Sequence, residues 1–260
     1  MYRKVPTSKV VLSALLVALV CSTLVTVSTV VLRPVQEQNR QQYMKRNILK
    51  VADLWQKGVA IDIQLQQLET RLVDLASGSF QQVDNAAAYD HLKAAHDPTQ
   101  SVALNPEQDI AGIKRRAHLA PVYLVRDDKK RIRKIILPIY GYGLWSTLYG
   151  FIALQEDTAT VIGLRFYEHG ETPGLGGEVD NKRWLNQWQG KRVFDQFWQP
   201  QIQLVKGGID QSNSMAVHQV DALSGASLTN RGIENLIRFW MGDDGFGPFL
   251  TRVRESGGNL

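Results

Sequence analysis

The sequence predicts an α+β protein, with a single N-terminal transmembrane helix ahead of an antiparallel-sheet domain flanked by helices. Three observations carry this prediction. Val10 to Leu32 is a run of 23 residues without a charge, long enough to cross a bilayer as a helix. Between Pro121 and Glu168, runs rich in Val, Ile, Leu and aromatic residues alternate with short turn signals, the mark of consecutive antiparallel strands. Finally, Ile233, Leu236, Ile237 and Trp240 recur at i, i+3, i+4 and i+7, which makes one apolar helical face.

The segment 1–34 reads as a short N-terminus and a membrane anchor, its helix covering about 10–32. Arg3, Lys4 and Lys9 precede the apolar run, and Arg33 and Pro34 follow it. A cleaved signal peptide is the alternative, but the run exceeds a usual apolar core and lacks an A-x-A site. Cleavage for lipidation at Cys21 is disfavoured by the bulk of Val20. The near flank favours a cytoplasmic N-terminus, although Arg33, Arg40, Lys45 and Arg46 dilute the asymmetry. In a bacterium that orientation holds the anchor in the inner membrane and puts residues 35–260 in the periplasm.

Residues 35–120 read as a helical connector and an insertion. Tyr43, Ile48, Val51, Leu54 and Trp55 are spaced helically, so 36–56 should continue the anchor as a surface helix. The stretch 62–75 reads as a helix giving way to a short strand at 71–74. The stretch 81–119 is Ala-rich and polar, with Pro98 and Pro106, and reads as short surface helices. The domain proper is 121–260. Strands are expected at 121–125, 132–140, 144–154 and 160–168, with a further one at 201–205. Helices are expected over 183–192, from about Asn230 onward, and in the terminal segment. No internal repeat is visible.

The formal charge is +5, of which Arg3, Lys4 and Lys9 supply three. The remaining basic clusters, Lys114 to Arg116 and Lys129 to Arg131, are short and offer too little surface for a nucleic-acid partner. With Cys21 as the only cysteine, one chain can build neither a disulfide nor a Cys-ligated zinc or iron–sulfur site. Five scattered histidines form no nucleophilic constellation, and G-x-S-x-G and Walker A runs are missing. The sequence therefore names no catalytic triad and no metal ligands. Without a nicotinamide fingerprint, it also gives the chain no means to oxidise NADH alone.

Chemistry concentrates in three stretches. Asp221 to Asn230 reads D-A-L-S-G-A-S-L-T-N and runs into the amphipathic helix. Small and hydroxyl-bearing residues at a helix start leave N–H groups free for a phosphate. Equally, Thr229 or Asn230 is a good N-cap, and the residues alone leave both readings open. Gly141 to Ser146 has Ser146 where a dinucleotide fingerprint needs its third glycine, and it lies between two strands. Its Leu144 and Trp145 could instead offer a flat apolar surface. Gly170 to Glu178 reads G-E-T-P-G-L-G-G-E, a turn-rich loop. Glu168, His169 and Glu171 there match no metal-binding pattern.

Taken together, Ser224-Gly225-Ala226-Ser227-Leu228-Thr229, Gly143-Leu144-Trp145 and Glu171-Thr172-Pro173-Gly174-Leu175-Gly176 resemble the motifs of the FMN-binding domain family, in order. Ser227 stands where the family more often has threonine. The resemblance extends over nearly the whole chain. It implies covalent FMN on Thr229 through a phosphoester, attached by a flavin transferase, with Ser224, Gly225, Ala226, Ser227 and Leu228 around the phosphate. It further implies that Gly143, Leu144, Trp145, Glu171, Thr172, Pro173, Gly174, Leu175 and Gly176 border the flavin ring. The function implied is electron relay among the subunits of a membrane-bound, Na+-translocating NADH:quinone reductase complex. The 81–119 insertion and the terminal G-F-G-P-F-L-T favour this over the homologous subunit of a ferredoxin:NAD+ oxidoreductase complex. A third reading is a membrane-tethered binding module without redox activity, in which Thr229 only caps its helix.

Overall fold

The computed structural model describes residues 6–83 and 85–260, so Arg3 and Lys4 of the basic flank lie outside the described residues. The chain divides into two units, 1–44 and 45–260. The first is occupied by most of α1 (Thr7–Val51), which there exposes its apolar side chains on every side, Leu12, Leu16, Leu19, Leu24 and Val30 among them. A helix that is apolar all round is suited to lipid rather than water. Its Ser22 and Thr23 hydroxyls donate to Leu19 O at 3.0 and 2.8 Å, and Thr29 donates to Val25 O at 2.8 Å. These three hydroxyls are thus satisfied without water. Among the described residues one helix has this length and composition, near the N-terminus, and it fits single-pass membrane anchoring. It continues through Pro34 to Val51, which absorbs most of the surface helix expected over 36–56.

The second unit is built on a six-stranded sheet. Its strands are β1 (Glu69–Asp74) and β2 (Phe80–Gln81), then, beyond the small pair β3 (Ser101–Ala103) and β4 (Arg115–Ala117), β5 (Leu119–Arg126), β6 (Ile132–Tyr142), β7 (Thr147–Gln155) and β8 (Val161–Glu168). They lie in the order β2-β1-β5-β6-β7-β8 and pair antiparallel throughout. Short helices α2 (Ile61–Leu65), α3 (His91–His96) and α4 (Lys182–Asn186) sit in the connections. After β9 (Gln203–Val205) and β10 (Gln219–Asp221) come the two longer helices, α5 (Ser227–Met241) and α6 (Gly247–Glu255).

Several expectations change in detail. The short strand expected at 71–74 is a six-residue β1, paired with β5 from Glu69↔Leu124 to Asp74↔Leu119. Strand pairing to a distant segment, invisible to local pattern, starts the sheet before the insertion rather than after it. The insertion itself holds not only α3, capped by Asp90 on Leu92 N and Lys93 N, but also the antiparallel pair β3 and β4. The expected strand at 201–205 pairs in parallel with β10, outside the main sheet. Of the helix expected over 183–192, only 183–186, within α4, is α-helical.

The core lies between the sheet and α5 and α6. Ile135, Leu137, Ile139, Ile152 and Leu154 join Ile233, Leu236, Ile237, Trp240, Phe249 and Val253 in one buried cluster. Each such side chain contributes about 1.5–3 kcal/mol on burial. The expected α5 face is therefore the face that is buried. Trp240 anchors it by donating from Nε1 to Tyr140 O at 2.7 Å. Near its other end, a Cβ on Gly232 would stand 2.5 Å from Tyr142 O. Only glycine lets α5 cross the end of β6 this closely, and that crossing carries Thr229 to the turn between β6 and β7.

Candidate flavin site

α5 begins at Ser227, three residues earlier than expected, with Ala226 at the cap and no side-chain cap bond. Thr229 is consequently inside the first turn and is not an N-cap. Asn230 is not one either. Its Oδ1 accepts from Leu223 N and its Nδ2 donates to Leu223 O, both at 2.9 Å and both buried. This two-bond clamp folds 223–226 back against the helix. By helix geometry the N–H groups of Ser227, Leu228 and Thr229 have no acceptor within α5, and they carry the positive end of its dipole.

The Thr229 hydroxyl, only 1% exposed, donates to Glu171 Oε2 at 2.6 Å. Glu171 Oε1 in turn accepts from Leu144 N at 3.0 Å and Trp145 N at 3.1 Å. One carboxylate, 5% exposed, thus joins all three sequence motifs. The same contact explains why the strand expected from Leu144 begins only at Thr147. The Leu144 and Trp145 amides are turned toward Glu171, and Gly143 N donates to Ser146 O at 2.8 Å to close the turn. Burial works against the charge on Glu171. The hydrogen bonds from Thr229, Trp145 and Leu144 outweigh it and hold the carboxyl below its ordinary value.

Glu171 is itself held from behind. Its N–H donates to His169 Nδ1 at 3.3 Å, and His169 Nε2 pairs with Asp180 Oδ2 at 3.1 Å. That bond to Asp180 raises the His169 pKa, against the opposing effect of burial. Ser146 Oγ accepts from Gly170 N at 2.6 Å, tying the β6–β7 turn to the same loop. Within the loop, Thr172 O accepts from Leu175 N at 3.1 Å and Gly177 N at 2.8 Å, so the Leu175 amide is already engaged. A Cβ on Gly176 would stand 2.6 Å from Thr229 Oγ1 and 2.8 Å from Glu171 Oε2. Glycine there leaves the only room for the hydroxyl–carboxylate pair.

Around this polar centre the surface is apolar. Trp145 is 65% exposed, Leu228 52% and Leu175 45%. Leu144 is also exposed, and Leu175 reaches over Gly225, where a Cβ would stand 2.9 Å from Leu175 Cδ2. Thr172, Pro173, Gly174, Ser224, Gly225 and Ser227 are exposed as well, while Gly143 is half-buried and Ala226 buried. Burial is the usual fate of a tryptophan, and Trp145 departs from it. An exposed apolar shelf beside a buried nucleophilic hydroxyl and the open N–H groups of a helix start has the donor set a flavin phosphate needs. The roles of Glu171 as partner of Thr229 and of Asn230 as clamp were not read from the sequence. The one local signal was an asparagine within a helix, where its side chain disfavours helix unless it bonds elsewhere.

Comparison with known proteins agrees with this geometry. Residues 143–242 match the FMN-binding domain family, a span that contains all three motifs. The chain is 48% identical over 251 residues to the NqrC subunit of the Na(+)-translocating NADH-quinone reductase of Yersinia pestis, covering 95% of this chain and 93% of that protein. It is 46% identical to the Pseudomonas aeruginosa protein of the same name, covering 96% and 97%. The crystal structure of Shewanella oneidensis NqrC superposes with a TM-score of 0.75 at 36% identity, over 84% of this chain and 99% of that one. The crystal structure of the same subunit from Parabacteroides distasonis gives 0.63 at 27% identity, over 85% and 97%.

Proposed function

Because the chain belongs to the NqrC family of Na(+)-translocating NADH-quinone reductase subunits, we propose that it is a membrane-anchored electron relay carrying FMN as a phosphoester on Thr229. The observation that carries this reading is the meeting of the three motifs at one buried carboxylate, which holds the Thr229 hydroxyl. The flavin supplies the electron-transfer chemistry when bound, and the chain supplies placement and tuning. Thr229 Oγ1 is the attachment atom, and a covalent tether keeps the cofactor at the site whatever its free concentration. The amides at the start of α5 favour the phosphate charge. Leu144, Trp145, Leu175 and Leu228 present the apolar surface on which a ring can lie.

The partners that follow are the other subunits of the reductase complex and a flavin transferase that matures the chain. The relatives compared above are NqrC proteins, matched over nearly their full length, which favours the quinone reductase over the ferredoxin complex. With α1 as a single-pass anchor in a bacterial inner membrane, the basic flank argues for the domain on the periplasmic side. Co-expression of the full chain with the flavin transferase tests the reading. The wild type should gain an FMN-sized mass and fluoresce in a denaturing gel, and Thr229→Ala should do neither. A dark, unmodified wild type would overturn it and leave the tethered binding module standing.

A further inference from the structure

We infer that Glu171 is the residue that receives the proton of Thr229 when the phosphoester forms. The inference rests on the proposed attachment at Thr229 and adds a role for a carboxylate that the motif alone only places beside the ring. The geometry is that of a nucleophile already paired with its base: Thr229 Oγ1 donates to Glu171 Oε2 at 2.6 Å in a dry setting. Burying a carboxylate and a hydroxyl costs free energy unless both are paired, and here each oxygen is the other's partner. The two amides of Leu144 and Trp145 on Oε1 fix the carboxylate so that Oε2 is the oxygen left for the threonine.

The balance of the step points the same way. An alcohol forms a phosphoester only from an activated phosphate, so the donor must be a phosphoanhydride of FMN. Thr229 Oγ1 attacks phosphorus and the O–P bond forms. The anhydride P–O bond breaks, the departing phosphate-bearing group takes the electron pair, and the hydroxyl proton passes to Glu171 Oε2. Without that transfer the product would set a phosphodiester monoanion against a buried carboxylate, two like charges in contact. With it, Glu171 becomes a neutral acid. Modification also removes the donor that holds Oε2, so the contact beneath Gly176 must open as the ester forms.

The test is the rate of FMN attachment, read by intact mass, on the full chain with its transferase and FAD as the flavin phosphoanhydride. Glu171→Gln keeps the size and can leave its amide oxygen on the Leu144 and Trp145 N–H groups, but it turns an N–H donor toward Thr229 Oγ1 and cannot take a proton. It should slow attachment about 100-fold or more, the usual worth of a general base, with an unchanged circular dichroism spectrum. Glu171→Ala should be slowed likewise and partly restored by added formate, a rescue that a purely structural role would not give. Attachment to Glu171→Gln within threefold of the wild-type rate, or no formate rescue of Glu171→Ala, would overturn the inference and assign the proton to a group on the transferase. A wild type that is not modified at Thr229 would instead overturn the attachment reading, and this inference with it.

Discussion

The first turn of α5 and the turns behind it belong to one continuous helix, yet they bury opposite kinds of side chain. From Ile233 onward the buried residues are apolar apart from the Trp240 indole N–H, which is satisfied by Tyr140 O. In the first turn the buried residues are Thr229 and Asn230, and their hydrogen bonds run sideways to Glu171 and Leu223. Polar burial of this kind costs free energy unless every group is paired. The two halves therefore answer to different demands. The later turns hold the domain together, and the first turn holds the Thr229 hydroxyl in one orientation.

Substitutions can sharpen this division or break it. The largest stability effect should come from the later turns. Leu236→Ala, fully buried against the sheet, should lose about 2–5 kcal/mol in denaturant unfolding and still accept flavin where it is folded. Equal loss of flavin attachment in the folded protein would show that the halves are not separable. Asn230→Ala comes next. It leaves the buried Leu223 N–H unpaired and its C=O with only the long bond from Ala226 N at 3.4 Å, which costs about 1–3 kcal/mol, and it should slow attachment by loosening the loop before Thr229. Thr229→Ala stands beside it, since it leaves the buried Glu171 Oε2 without its donor at a cost of about 1–3 kcal/mol, and it abolishes covalent flavin altogether.

The smallest effect is electrostatic. The Glu171 carboxyl is held below its ordinary value in the folded chain, so its contribution is present above the ordinary carboxylate range. That contribution disappears as the pH falls through the depressed value. The melting temperature of the unmodified wild type should therefore drop more steeply below about pH 4.5 than that of Glu171→Gln. Parallel curves would mean that the carboxylate adds nothing to the folded state.

Much of the fold was legible in the chain because it follows from repeats of neighbouring residues. The 23-residue uncharged run and the Ile233–Trp240 stripe each declare an element without outside help. Of the four consecutive strands expected, three lie close to the observed β5, β6 and β8. The fourth, β7, begins three residues late because the Glu171 carboxylate captures the Leu144 and Trp145 amides from 27 and 26 residues away. β1 joined the sheet through a partner strand some fifty residues on, and β9 left it for β10.

Local pattern is enough to find the chemically equipped residues: a threonine ahead of an apolar helical face, an aromatic turn between two strands, and a glycine-rich loop. Their meeting on one carboxylate comes from packing. Thr229 and Glu171 are 58 residues apart, so no local spacing encodes their contact. It exists because Gly232 lets α5 pass the end of β6 at backbone distance and Gly176 leaves space beside the hydroxyl. Periodicity is a property of short stretches of chain, whereas a hydrogen bond between distant loops is a property of the packed surfaces that carry them.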